Sequence, residues 1–268
     1  AKYPDASVFG DTTTRSELLW MFMMYSGSQF VNRETGKCSF DSQEFVDLLE
    51  FMKQFPEEFD YSTLPDDYWM NSQKAYRDGK ILLMSLNISD VESYITNIGM
   101  FGEPVTLIGF PAKEGNGAII SPNNVYMISS KSKNSDGAWQ FLRYYLTDEY
   151  QKNGNDSWSL PIKKDALKEK INKGTEKPYW INSDGGKEYY EYTAWLGDEE
   201  VTLDPLTQEQ ADDLYNYICS VTQAYYSDDS LSNIITEESA AFFSGQKSAQ
   251  DVADIIQSRA QIYINESR

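Results

Sequence analysis

"AYRDGKILLMSLNISDVESYITNI", residues 75–98, decides how the rest of the chain is read. A helical pattern runs up to Gly79, the usual left-handed stop. Then "ILLMSL" at 81–86 is an apolar run too short for a helix and bounded by Gly79 and Asn87. Such a run reads as a buried strand. A second helix follows over "ESYITNI", with Ser89 or Asp90 placed to cap it. Helix, strand and helix in so few residues is the layering of an α/β protein.

The pattern extends in both directions. Residues 14–26 read as a helix with Leu18, Leu19, Phe22, Met23 and Tyr25 inward, followed by a loop or short hairpin with a Thr-Gly turn at 35–36. Ser39 or Asp41 is expected to cap a helix carrying Phe45, Leu48, Leu49 and Met52 as its apolar stripe. "VTLIGFP" (105–111) and "VYMISS" (125–130) read as two further strands, and 135–151 as a helix. A short mixed sheet containing 81–86 and 105–110 is therefore expected. Beyond "LPIKKDALKEKI" the strand pattern gives out. The polar, aromatic stretch 174–192 reads as an exposed excursion, and helices are expected at about 207–225, 229–243 and 248–264. In the last, Ser248 and Asp251 form a start signature, and Ala249, Val252, Ala253, Ile256, Ala260 and Tyr263 make one stripe.

Composition narrows the function. The 268 residues carry 42 Asp and Glu against 23 Lys and Arg, a formal charge of −19. Phosphate neutralisation needs basic stripes, and none is present, so nucleic acid is not an expected partner. Anionic membrane surfaces are disfavoured for the same reason. The sequence has no apolar run of about 18 residues, the length a membrane helix needs. "LLWMFMMYSG" at 18–27 is shorter and reads as a buried helix. Histidine is absent, which removes Ser-His and Cys-His nucleophiles and histidine-ligated metals. Cys38 and Cys219 give neither a disulfide framework nor a zinc pattern, leaving one bridge between them open. Neither a cofactor nor a metal is expected. Aromatics are abundant, with 19 Tyr, 13 Phe and 6 Trp; such rings suit sugar faces, protein interfaces and cores alike.

Several stretches, taken in order, resemble a known family: "AYRDGKILLMSL", "FGEPVTLIGFPAKEGNGAIISPNNVYMISSKSKNSDGAWQFLRYYLTDEYQ", "SLPIKKDAL" and "AAFFSGQKSAQDVADIIQSRAQIYINE". They are similar to extracellular solute-binding protein family 1, the carbohydrate-binding receptors of ABC importers. The resemblance implies an α/β, type II periplasmic-binding-protein-like fold, mainly the C-terminal lobe, with a short mixed sheet flanked by helices and a helical C-terminal tail. It implies that residues 1–118 and 163–268 belong to the C-terminal lobe, that 119–162 return to the N-terminal lobe through a hinge, and that most of that N-terminal lobe lies outside this chain. An oligosaccharide ligand, permease subunits as partners, a monomeric state and an extracellular, membrane-anchored lipoprotein are implied too, the signal peptide and anchor lying outside the chain.

Carried over position by position, the resemblance places ligand contacts in four segments. The first is Thr14, Arg15 and Glu17, whose guanidinium and carboxylate suit charge-assisted bonds to hydroxyls. The second is Asn87, Ser89 and Asp90, after the 81–86 run, where α/β folds place binding loops. The third is Asn123 and Asn124 beside Pro122, at the crossing between lobes. The fourth is Tyr225, Tyr226 and Asp228, ahead of the penultimate helix, supplying a stacking ring and a hydroxyl acceptor. Each set has a plainer reading as well: Thr14, Arg15 and Glu17 as a cap with surface charges, Ser89 or Asp90 and Asp228 or Asp229 as N-caps, and "SPNN" as a turn. A binding protein without catalytic residues is the leading class. A carboxylate-pair glycosidase, which needs no histidine, and a protein-interaction domain built on the tyrosine-rich 179–195 stretch are the alternatives.

Overall fold

A computed structural model describes residues 5–110, 116–122, 125–154, 159–225 and 228–267. It falls into two compact units. One comprises Ala1–Phe9, Pro65–Leu107 and Pro122–Ser220; the other comprises Gly10–Leu64, Ile108–Ser121 and Val221–Arg268. These units and the lobe segments implied by resemblance are different divisions of the chain. The protein is α/β, with its strands in small two-stranded pairs among the described residues.

In the first unit the core forms where α4 (Val91–Gly99), α6 (Lys164–Lys173) and α7 (Gln208–Cys219) pack with the hairpin β6 (Tyr192–Leu196) and β7 (Glu199–Leu203). The hairpin follows from its sequence. Tyr192, Ala194 and Leu196 are buried while Thr193 and Trp195 are exposed, the period of a half-buried strand. Gly197, at φ 72°, opens a two-residue turn between Leu196 and Glu199, a conformation that favours glycine. A second hairpin, β4 (Tyr179–Ile181) with β5 (Lys187–Tyr189), is exposed throughout. Its turn is organised by the Asn182 side-chain oxygen, which accepts from the amides of Asp184 and Gly186 at 3.1 and 2.8 Å. Strands therefore continue past residue 171, contrary to the sequence expectation. The exposed character expected of 174–192 holds for 179–191, apart from half-buried Asn182, and fails at Gly174, Pro178 and Tyr192, which are buried.

In the second unit α1 (Arg15–Tyr25), α2 (Gln43–Met52), α8 (Asp229–Phe243) and α9 (Ala249–Glu266) enclose a core in which Phe22, Phe30, Phe40 and Phe45 meet ring to ring at 5.2–6.0 Å. Val252, Ala253, Ile256 and Ala260 of α9 are fully buried, as the stripe predicts. Tyr263 is only half-buried, and Ile264 takes the core position beside it. The short hairpin β1 (Val31–Asn32) and β2 (Lys37–Cys38) turns through Gly36 at φ 70°. Its edge is covered by two glutamines of α9. Gln261 accepts from the Cys38 amide and donates to the Gly36 carbonyl; Gln257 accepts from the Phe40 amide and donates to the Cys38 carbonyl. A helix thereby satisfies main-chain groups that a third strand would otherwise pair.

Three strand expectations fail. Residues 81–86 make a single parallel bridge, Ile81 to Ser7, and the Leu82 and Leu83 amides donate to the Ser7 and Val8 carbonyls. Leu82 and Leu83 are exposed, although Leu86 reaches the core. Residues 105–110 and 125–130 belong to no strand. A short apolar run supplies extended character, but a ladder needs a partner, and among the described residues only Ser7 and Val8 offer one here. The paired strands of this second unit beyond the hairpin are β3 (Ile119–Ile120) and β8 (Gln223–Ala224), parallel. Helix expectations fare better, with adjusted ends. The helix α3 (Tyr68–Arg77) closes before Gly79 at φ 66°. The 135–151 helix is α5 (Ser135–Leu142), continued by a 3₁₀ turn to Leu146 and a π-type turn at Tyr150–Gly154. The helix expected at 207–225 ends at Cys219. Neither Ser39 nor Asp41 caps α2: Ser42 holds that position, and its hydroxyl makes no cap bond. The Ser39 amide instead extends the hairpin to the Phe30 carbonyl.

Candidate functional site

Three of the four candidate segments can be placed, each at a helix N-terminus. Thr14 caps α1 in a reciprocal box: its hydroxyl accepts from the Glu17 amide, and the Glu17 carboxylate accepts from the Thr14 amide at 2.9 Å. Arg15 spans main-chain oxygens. Its guanidinium donates to Phe55 at 2.6 Å, to Lys53 at 3.4 Å and to Phe243 at 3.5 Å, and lies over the Phe243 ring at 5.6 Å. Arg15 thus ties α1 to the C-terminal ends of α2 and α8. Trp20, one turn on, is 55 % exposed.

Asp90 is 4 % exposed and caps α4, one carboxylate oxygen accepting from the Ser93 amide at 2.8 Å and the other from the Ser89 hydroxyl at 2.9 Å. Asn87 and Ser89 are exposed beside it. Along α4, Glu92 accepts from the Tyr190 hydroxyl at 3.3 Å. Burial, then Tyr190 and Glu92, push the neighbouring Tyr192 phenol up to about 12, so it stays neutral.

Asp228 is the most heavily engaged candidate. It caps α8 through the Leu231 amide at 3.1 Å, accepts the Tyr263 hydroxyl of α9 at 2.9 Å, and pairs with Arg33 at 3.1 Å. Tyr225 extends the β8 pairing, its amide donating to the Ile120 carbonyl at 2.8 Å. Asn123, Asn124 and Tyr226 lie outside the described residues. The chain passes from the first unit to the second after Leu107 and returns to the first after Ser121.

The candidates are divided between the units and are not gathered in the second, where Arg15 bonds Phe243 at the C-terminal end of α8 and Asp228 caps the N-terminus of the same 15-residue helix. Thr14, Arg15, Glu17, Tyr225 and Asp228 belong to the second unit, and Asn87, Ser89 and Asp90 to the first. The sequence placed Tyr263 in the apolar stripe of its helix and gave Arg33 no role, and it paired neither with Asp228, because both lie far away in the chain. Nothing near them announces the pairing. Among the described residues, no group of three or more Cys, Asp or Glu is placed to hold a metal ion.

Small strand pairs among helices define an α/β protein. The family model described as bacterial extracellular solute-binding protein matches residues 1–178, and the chain belongs to that family. The first three candidate segments lie inside the matched range; Tyr225, Tyr226 and Asp228 lie beyond it. No curated protein matches the chain.

Proposed function

We propose that the chain captures an oligosaccharide for an ABC importer and hands it to the permease subunits without chemical change. The single observation that carries this reading is the family match over 1–178. Support comes from Asn87 and Ser89, which are exposed beside the N-terminus of α4 and carry polar groups that suit a hydroxyl-rich ligand. The lobe assignment, with 1–118 and 163–268 in one lobe and 119–162 in the other, is part of the proposal. Val125, Met127 and Phe141 are 67, 86 and 66 % exposed, which supports reading 119–162 as a piece that packs against further protein surface. Membrane anchoring as a lipoprotein, and a monomeric receptor, complete the reading.

The test is calorimetry of the chain with maltose-type and xylose-type oligosaccharides. Saturable binding to a sugar series that weakens in Trp20→Ala or Tyr225→Ala supports the reading. Binding of amino acids or peptides in preference to every sugar refutes the carbohydrate assignment. Turnover of a chromogenic glycoside, abolished by one Asp or Glu substitution, would replace capture by hydrolysis.

A further inference from the structure

The two successive hairpins of the first unit repeat one arrangement. In β4–β5 the exposed Trp180 stands directly across from Glu188; in β6–β7 the exposed Trp195 stands directly across from Glu200. Side chains so paired are neighbours, about 4.5–5.5 Å apart at Cβ. Asn182 donates to the Glu188 carboxylate at 2.9 Å and so holds it in place. Each pair offers an aromatic face beside an anion, the two features that recognise a guanidinium or ammonium group.

Charge points the same way. The stretch 176–200 carries seven carboxylates and two lysines, and both lysines are engaged within it. Lys177 pairs with Glu191. Lys187 sits over the Tyr179 ring, 3.9 Å from its centre, and is held above the ordinary lysine range chiefly by its bond to the Tyr179 hydroxyl. That pair lies on the face of β4–β5 opposite Trp180 and Glu188, since successive strand residues alternate faces, and it shows a ring of this hairpin seating a cation. Trp180 and Trp195, at 54 and 57 % exposure, stand open for others.

We propose that the β4–β5 and β6–β7 hairpins form a docking surface for a basic, arginine-rich polypeptide segment, with Trp180–Glu188 and Trp195–Glu200 as its two cation seats. A neutral partner would use the rings and leave the carboxylates idle. An anionic membrane or nucleic acid would be repelled by them.

The experiment titrates the chain with a fluorescently labelled nona-arginine peptide at physiological salt, with a nona-glutamate peptide, xylo-oligosaccharides and anionic vesicles as the other arms. Hydrogen exchange of the wild-type complex maps where the peptide sits. The expected result is binding of nona-arginine with protection confined to residues 177–203. Trp180→Ala/Trp195→Ala keeps the net charge and removes both rings. Each exposed ring contributes about two- to fivefold in affinity, so the double variant should bind about 4–25-fold more weakly. Trp139→Ala, an exposed tryptophan elsewhere in the same unit, should bind as wild type. Equal affinity of wild type and double variant, or protection spread over other acidic surfaces, would show that bulk charge alone does the binding and would overturn the proposal. Preference for a sugar or a vesicle over the arginine peptide would overturn it too. Should the double variant misfold, the wild-type footprint still decides.

Discussion

Asp228→Ala separates a structural from a ligand-facing role at the most heavily engaged candidate. The carboxylate is the N-cap of α8, the acceptor of the Tyr263 hydroxyl and the partner of Arg33. Removing an N-cap oxygen costs about 0.5–2 kcal/mol. Leaving the half-buried Tyr263 hydroxyl without its acceptor adds about 0.5–1.5 kcal/mol. The Arg33 side chain is 47 % exposed, so screening holds that pair to about 0.2–1 kcal/mol. The total is about 1.2–4.5 kcal/mol, released at the start of α8 and its contact with α9. Because the chain has two compact units, its unfolding need not be a single transition. Hydrogen exchange at residues 229–235 is therefore the primary assay, with urea unfolding alongside. Asp228→Asn retains a cap and an acceptor and should lose less than about 1 kcal/mol, the part belonging to the ion pair. Tyr263→Phe should cost about 1 kcal/mol, and the cycle with Asp228→Ala should return a coupling of about 0.5–1.5 kcal/mol. Asp228→Ala with wild-type exchange in the first turn of α8, and stability within about 0.5 kcal/mol, would refute the reasoning.

Four further outcomes are expected. Ile256→Ala, at a fully buried position of α9, should destabilise the second unit by about 2–5 kcal/mol in urea unfolding; a loss below about 1 kcal/mol would remove α9 from the core. Gln257→Leu strands the Phe40 amide and Cys38 carbonyl and should cost about 1–3 kcal/mol, with faster exchange at Phe40 as the direct readout. Gly174→Ala places a Cβ 2.5 Å from the Val91 side chain and 3.0 Å from the Ile171 carbonyl, so thermal unfolding should show a loss of about 1–3 kcal/mol. Finally, Asp251 is held below the ordinary 3.8 by its bonds from Ser248. A depressed carboxylate contributes stability present above its unfolded value and lost as pH falls through the folded one. Protection of the α9 N-terminus should thus be constant from neutral pH down to about 4 and fall below it, and Asp251→Asn should remove that dependence.

What the sequence determined by itself was helical. Apolar residues three and four apart, with Ser248 and Asp251 at the start of α9, carry their information within one segment, because a helix bonds its own backbone. The same holds for Thr14 with Glu17 and for Asp90 with Ser93, whose capping boxes are local patterns. The family resemblance also lay in the linear sequence, and the match over 1–178 agrees with it. The β6–β7 hairpin was legible and was missed: alternation from Tyr192 to Leu196, then Gly197 and Asp198, is a short-range hairpin signal. Tertiary structure alone decided the rest. Whether "ILLMSL" becomes a ladder depends on a partner elsewhere in the chain, and Ser7 and Val8 supply only a fragment of one. Arg33 and Tyr263 reach Asp228 across 195 and 35 residues, and Gln257 and Gln261 reach the β2 edge across more than 200. These contacts exist because packing brings remote polar groups together and burial then requires each to find a partner. That requirement acts in space, and no local spacing encodes which partner answers it.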